Sequence, residues 1–95
     1  MTDKVKNQKQ MERHFKGVAN HRRIEILMVI AEHEGVTLDN LSRIVSCNFK
    51  TLSEHTRRLV QAGLINKKYH GRFVRHTLSP YGRMFYKFIV TLRHS

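Results

Sequence analysis

Lys50, Thr51, Ser53, Glu54, His55, Arg57 and Arg58 crowd one short stretch of this chain. They combine cations, short hydroxyls, an imidazole and one carboxylate, the groups that hydrogen-bond to base edges and phosphates in a major groove. Such chemistry needs one open surface, and a helix would supply it. Asn48 is a favoured N-cap, Cys47 and Leu52 are placed for a hydrophobic staple over it, and Gly63 is a natural stop about four turns later. Across this predicted helix, 48–63, Leu52, Thr56, Leu59 and Gly63 recur at helical spacing without charge, while Lys50, Ser53, Glu54, Arg57 and Gln61 fall opposite. A merely solvated helix would more often pair Glu with Lys four residues apart.

A second group of cations follows: Lys67, Lys68, His70, Arg72 and Arg75. The pattern here is strand-like. Leu64–Tyr69 and Phe73–Leu78 carry β-branched and aromatic residues around His70–Gly71–Arg72, which predicts a β-hairpin. Its charges suit either a basic finger against a polyanion or a solvated hairpin guarding an exposed edge. The crowding of cations near the tip favours the finger.

Asn48, Thr51, Leu52, Ser53, His55, Leu59, Ala62, Gly63, Leu64 and Ile65 together resemble the recognition-helix motif of winged helix-turn-helix regulators of the ArsR type. Thr56 stands where that motif usually has Leu. Val18–Leu27 is similar to the family's opening, L-A-D-P-x-R-x-x-I-L, with Asn20–His21 in place of Asp–Pro and Arg23 as the matching Arg. Ser79–Pro80–Tyr81–Gly82, after the basic hairpin, is similar to MarR-like winged helices. The resemblance covers most of the chain after the first ten residues. It implies a mainly α fold with a small β-hairpin, a winged helix-turn-helix of order α-α-α-α-β-β-α. It also implies a homodimer on double-stranded DNA, with the 48–63 helix in the major groove and the wing, 64–78, on the minor groove or backbone. Lys50, Thr51, Ser53 and Glu54 are then candidates for base contact, His55, Arg57 and Arg58 for backbone or groove-edge contact, and Lys67, Lys68, His70, Arg72 and Arg75 for the wing. Two of these have rival roles. Glu54 can accept from a cytosine amino group or pair with Arg57 or Arg58; His55 can donate to a phosphate or fill an interhelical seam. Arg23 reads as structural.

The remaining segments must position that surface. Residues 1–10 read as a flexible basic tail, and 11–95 as the winged helix-turn-helix domain. Met11–Phe15 forms a short helix ending at Gly17. Asn20 caps a helix over His21–Glu34, in which Ile24, Leu27, Met28 and Ala31 recur at helical spacing and Ile26 with Ile30 widens the apolar stripe. Thr37 caps a supporting helix that turns Leu38, Leu41, Ile44 and Val45 inward, and Val45–Ser46–Cys47 makes the turn into the 48–63 helix. Ser79 caps a last helix with Pro80 in its first turn. Its dense stripe, Met84, Phe85, Phe88, Ile89 and Leu92, exceeds what a small core needs, which points with Phe15 to a dimer interface, although folding back onto its own core would also use it.

Composition narrows the function classes. The net charge is +11 over 95 residues. Residues 1–54 hold nine Lys/Arg against seven Asp/Glu, a net of +2, whereas residues 55–95 hold nine Lys/Arg and no acid, a net of +9. A one-sided field of this kind is a footprint for a polyanion. The single Cys47 rules out an internal disulfide framework and fits a reducing compartment. A polar start and the lack of a long apolar run predict a cytoplasmic, nucleoid-associated chain with no membrane partner. No nucleophile with an adjacent base and no Gly-rich phosphate loop occurs, so no catalysis is expected.

The cysteine positions of metal-sensing ArsR relatives fall at Thr37 and Asp39, and the last helix has only His94 where a His and carboxylate set is needed. With no pair of the seven histidines three or four apart, no metal and no cofactor are expected. Cys47 is either a thiol tuned by the neighbouring helix start or a small staple residue. His70 and His76 would add charge to the wing below a pH of about 6.5. The alternatives to a sequence-specific regulator are an architectural DNA binder of low specificity and a winged-helix adaptor for another protein.

Overall fold

Among the described residues, helices account for five elements and short strands for three. The computed structural model describes residues 5–95, so the first four residues of the expected tail lie outside the described residues. α1 (Gln8–Val18) starts three residues before the expected Met11, because Asn7 and Gln10 form a reciprocal capping box. The Asn7 side chain accepts from the Gln10 N–H, and the Gln10 side chain accepts from the Asn7 N–H, each at 2.9 Å. α2 (His21–Glu32) is capped by Asn20, whose side chain accepts from the N–H groups of Arg22 and Arg23. It touches α1 and each of the elements α3, α4, β3 and α5 introduced below, which is why its most buried residues, Ile26, Leu27 and Ile30, span two edges of the expected stripe. The helix stops two residues short of Glu34. That carboxylate instead accepts from the Leu78 N–H at 3.2 Å and pairs with Arg83 at 2.6 Å.

Val36–Thr37 then forms β1, a strand the sequence reading lacked. Two residues show no alternation of their own; they become a strand only because β3 lies alongside. α3 (Leu38–Val45) follows directly, with the Thr37 hydroxyl accepting from the Asn40 N–H at 3.3 Å. Leu41 and Val45 are buried, but Ile44, expected inside, is half exposed beside Thr37, Asn40 and Arg43, ahead of α4 (Phe49–Gln61). The turn between these two helices is tied down: Ser42 Oγ donates to the Cys47 carbonyl at 2.5 Å, and Arg22 donates to the Ser46 carbonyl at 3.2 Å. α4 is capped by Asn48, which accepts from the Thr51 N–H at 2.9 Å. Gly63 leaves the helix at φ +75°, a left-handed conformation that favours glycine.

β2 (Ile65–His70) and β3 (Phe73–Leu78) make the hairpin, closed by a two-residue Gly71–Arg72 turn. The antiparallel sheet runs β1-β3-β2. α5 (Pro80–Arg93) begins at Ser79, whose hydroxyl accepts from the Gly82 N–H and donates to the Gly63 carbonyl at 2.6 Å, locking the last helix to the end of α4. The core is one cluster, with Leu27, Ile30, Leu41, Leu52, Leu59 and Leu64 wholly enclosed. Among the described residues no helix is long and apolar enough to cross a membrane.

Candidate nucleic-acid interface

Three core residues decide which way α4 faces. Leu52, Thr56 and Leu59 are buried one turn apart, and the Thr56 hydroxyl, in place of the motif's Leu, donates to the Ser53 carbonyl at 3.1 Å so that no polar group is stranded. The opposite side stays open: Lys50, Thr51, Ser53, Arg57, Arg58 and Gln61 are exposed, with Glu54 and His55 half-buried at its edge. Lys50, Thr51, Glu54 and His55 converge on one shallow recess of about 330 Å³ at the start of the helix.

Glu54 is already engaged in the free protein. Its carboxylate accepts from Arg57 Nε at 3.2 Å and Nη2 at 2.5 Å, and from Arg58 Nε at 3.1 Å. The Arg57 hydrogen bonds, with the charges of both arginines, hold its pKa below the usual carboxylate range. The carboxylate therefore clasps two cations on the outer face and sets their direction. His55 faces the other way, toward α2. Arg23 Nη1 lies 3.4 Å from His55 Nδ1, and since a guanidinium can only donate, Nδ1 accepts and the ring proton sits on Nε2. Burial, and then the charges of Arg23, Arg22 and Arg58, lower the His55 pKa and keep the ring neutral. Arg23 also donates to the Gly17 carbonyl at 2.6 Å, so the structural role read for it is joined by a contact with the interface. Arg23, the third residue past the Asn20 cap, reads as structural in the sequence; its contact with His55, thirty-two residues on, is what the sequence did not signal.

The wing distributes its charges less simply than the sequence suggested. Residues paired across an antiparallel ladder share a face, so Lys68, His70, Phe73 and Arg75 lie on one side and Lys67, Tyr69, Val74 and His76 on the other. Lys67, Lys68, His70 and Arg72 are exposed. Arg75 is exposed too, but Nη1 donates to the Gly35 carbonyl at 3.1 Å, which draws it toward the turn after α2. His76, expected as an acid-dependent wing charge, is enclosed beside Val36, with Nδ1 donating to the Val36 carbonyl at 3.0 Å. Burial lowers its pKa despite that hydrogen bond, so it stays uncharged where the wing would have needed a cation. Tyr69 and Phe73 are exposed aromatics of the wing that the charge pattern did not single out.

The apolar side of the molecule lies on α1 and α5. Phe15, Met84, Phe88 and Leu92 are between 57% and 66% exposed, far more than core residues allow. Phe85 and Ile89 are half-buried against the core, and Phe85 meets Phe15 edge-on at 5.2 Å between ring centroids. Of these, Phe15, Met84, Phe85 and Phe88 border a groove of about 300 Å³. Cys47 is half-buried and packed on the core at the foot of α4. Among the described residues no group of three His, Cys, Asp or Glu side chains is placed to hold a metal ion.

Residues 18–84, from the end of α1 into α5, match the sequence model of the family HVO_A0114. The chain belongs to the HVO_A0114 family. No curated protein matches it. Among solved structures this HVO_A0114 member is similar to reduced HlyU from Vibrio cholerae, at 25% identity and a TM-score of 0.82 over 90% of each chain. A second HlyU structure from the same organism is 27% identical, covering 96% of this chain and 95% of that one at a TM-score of 0.77. A domain from Mycobacterium bovis, described as a homodimeric winged helix-turn-helix DNA-binding domain and possible ArsR-family regulator, has a TM-score of 0.82 at 21% identity, over 98% and 91% of the two chains. The resemblance to ArsR-type winged helices therefore holds for the whole fold, with one strand more than the expected order of elements.

Proposed function

We propose that this chain is a homodimeric transcriptional regulator that binds specific DNA sites, without catalysis, in the cytoplasm. The observation that carries the reading is the open face of α4: a helix whose core side is filled by Leu52, Thr56 and Leu59 and whose other side offers Lys50, Thr51, Ser53, Arg57 and Arg58 beside a basic hairpin. α4 enters the major groove with Lys50, Thr51 and Ser53 toward the bases, and Arg57 and Arg58 meet the backbone. His55, held neutral by burial and by the charge of Arg23, presents its Nε2–H as a donor. Glu54 trades one arginine for a cytosine amino group or keeps both. The wing's Lys67, Lys68, His70 and Arg72 reach the backbone or minor groove, and Arg75 steadies its base. A dimer through α1 and α5 places two such faces on successive grooves, about 34–36 Å apart. The likeness to HlyU and to the homodimeric Mycobacterium bovis domain supports this reading.

Mobility shifts with the DNA upstream of the chain's own coding sequence, and with a scrambled duplex of the same composition, test it at two salt concentrations. Lys50→Ala or Ser53→Ala should narrow the gap between the two duplexes. Arg72→Ala should weaken both alike and flatten the salt slope by about one unit. Failure of the wild type to shift either duplex in low salt would sink the proposal, and equal affinity for both would replace it with an architectural binder.

A further inference from the structure

Beyond α4 and the wing, cations gather at a third place. Where α1 ends, Gly17 presses on the last turn of α4 so closely that a Cβ on it would stand 2.1 Å from Ala62 Cβ. That contact brings Arg13 and Lys16 of α1 beside Arg58 and Gln61 of α4, and Arg23 of α2 completes the wall. The result is a recess of about 250 Å³ lined, among the described residues, by four cations and no carboxylate, with Gly17 and Ala62 between them. Lys16 has Glu12 at 3.0 Å and Arg58 has Glu54 at 3.1 Å, each on its own helix and outside the recess.

Arg23 is fixed in this wall rather than waving in solvent. Its Nε and Nη2 donate to the Gly17 and Lys16 carbonyls at 2.6 and 3.5 Å, and Nη1 to His55 at 3.4 Å. Burial and the charge of Arg58 lower its pKa, the mark of cations held together against repulsion. Such crowding favours an anion that all four can share. The recess opens beside Arg58 and Gln61, on the flank of the α4 face read above as the DNA surface, and guanidinium forks match phosphate oxygens.

We infer that the recess formed by Arg13, Lys16, Arg23 and Arg58 binds a further backbone phosphate of the duplex, at the end of α4 nearest α1, where α1 and α2 add their cations to Arg58. The inference rests on the DNA-binding reading and extends the footprint along α1. A phosphate seated there gives each bound protomer a third anchor on the same strand path and is indifferent to sequence.

The test uses the full chain carrying Arg13→Gln and Lys16→Gln, both on exposed helix positions, with Lys87→Gln and Arg93→Gln together on α5 as the charge-matched control. The double variant should lower the slope of log affinity against log salt by about two units on specific and scrambled duplexes alike. Ethylation interference should lose one phosphate per half-site in the double variant and none in the control. If the wild type binds DNA and the double variant keeps the slope and phosphate pattern of the control, the inference is overturned while the regulator reading stands. It is overturned as well if amide signals of Gly17 and Ala62 respond to a poly-glutamate peptide as strongly as to duplex, which would make the recess a dock for an acidic protein. If no duplex is bound at all, it is the regulator reading that has failed.

Discussion

At the scale of single residues, three buried residues, two of them histidines, show how tightly this small core is fitted. His76 lies among apolar neighbours with its Nδ1–H on the Val36 carbonyl, and burial lowers its pKa. An unfolded histidine titrates near pH 6.5, so between that value and the lower folded value the unfolded chain binds more protons. Stability is full above about pH 6.5 and falls as the pH drops below it. Melting temperature measured from pH 8 to pH 5 should show this decline, and His76→Gln, which keeps an N–H for Val36 but cannot charge, should flatten it. His55 adds a slope of the same sign, since burial also lowers its pKa.

His14 is the second such group. Nδ1 lies 2.6 Å from the Ala62 carbonyl, pinning α1 to the end of α4, and the ring stacks on Tyr81 at 4.8 Å. Replacing it with Ala should cost on the order of 1–3 kcal/mol, because a buried carbonyl loses its donor. Gly17 is the third, and Gly17→Ala should destabilise the fold measurably in denaturant titration, since both atoms of the resulting clash belong to short, rigid parts of α1 and α4.

Among the elements, caps were the most legible. Asn20, Thr37, Asn48 and Ser79 each accept from the N–H two or three residues on, as their types and positions suggested. Asn48→Ala should cost about 1 kcal/mol and fray the first turn of α4, where Lys50 and Thr51 sit. Hydrogen exchange at Thr51 and Leu52 should rise, and DNA affinity should fall with it. Asn7 escaped notice because its partner Gln10 sits within a polar run that resembles a tail. Strand β1 escaped for a different reason: a two-residue strand has no period, and its only specification is the register Val36↔His76 with a partner forty residues away. The hairpin was readable from its β-branched and aromatic residues around Gly71, whereas which of its cations share a face follows only from the register, in which Lys68 pairs with Arg75 and Lys67 with His76.

On the scale of the whole molecule, charge and apolar surface are separated. The cations line α4, the wing and the junction of α1 with α2, while Phe15, Met84, Phe88 and Leu92 stand exposed on α1 and α5. A surface of that kind on so small a chain is expected to be covered by a second copy. Sedimentation should give a dimer at micromolar concentration, and Phe88→Asp should give a folded monomer with weakened binding to a two-site duplex. A dimeric Phe88→Asp protein would place the interface elsewhere.

From residues alone came the helices and their caps, the hairpin, the open face of 48–63 and the acid-free second half, because each of these depends on periodicity, local capping or plain charge count. What needed the tertiary structure was everything set by neighbours distant in sequence. His76 left the wing for the core, and Ile44 was turned outward. Arg23 was aimed at His55, and Arg13 and Lys16 were brought to Arg58 by one glycine contact. Local sequence states which groups a segment carries and how often they recur; which of them meet, and so which are buried, neutral or crowded, is decided only when separate helices close on a common core.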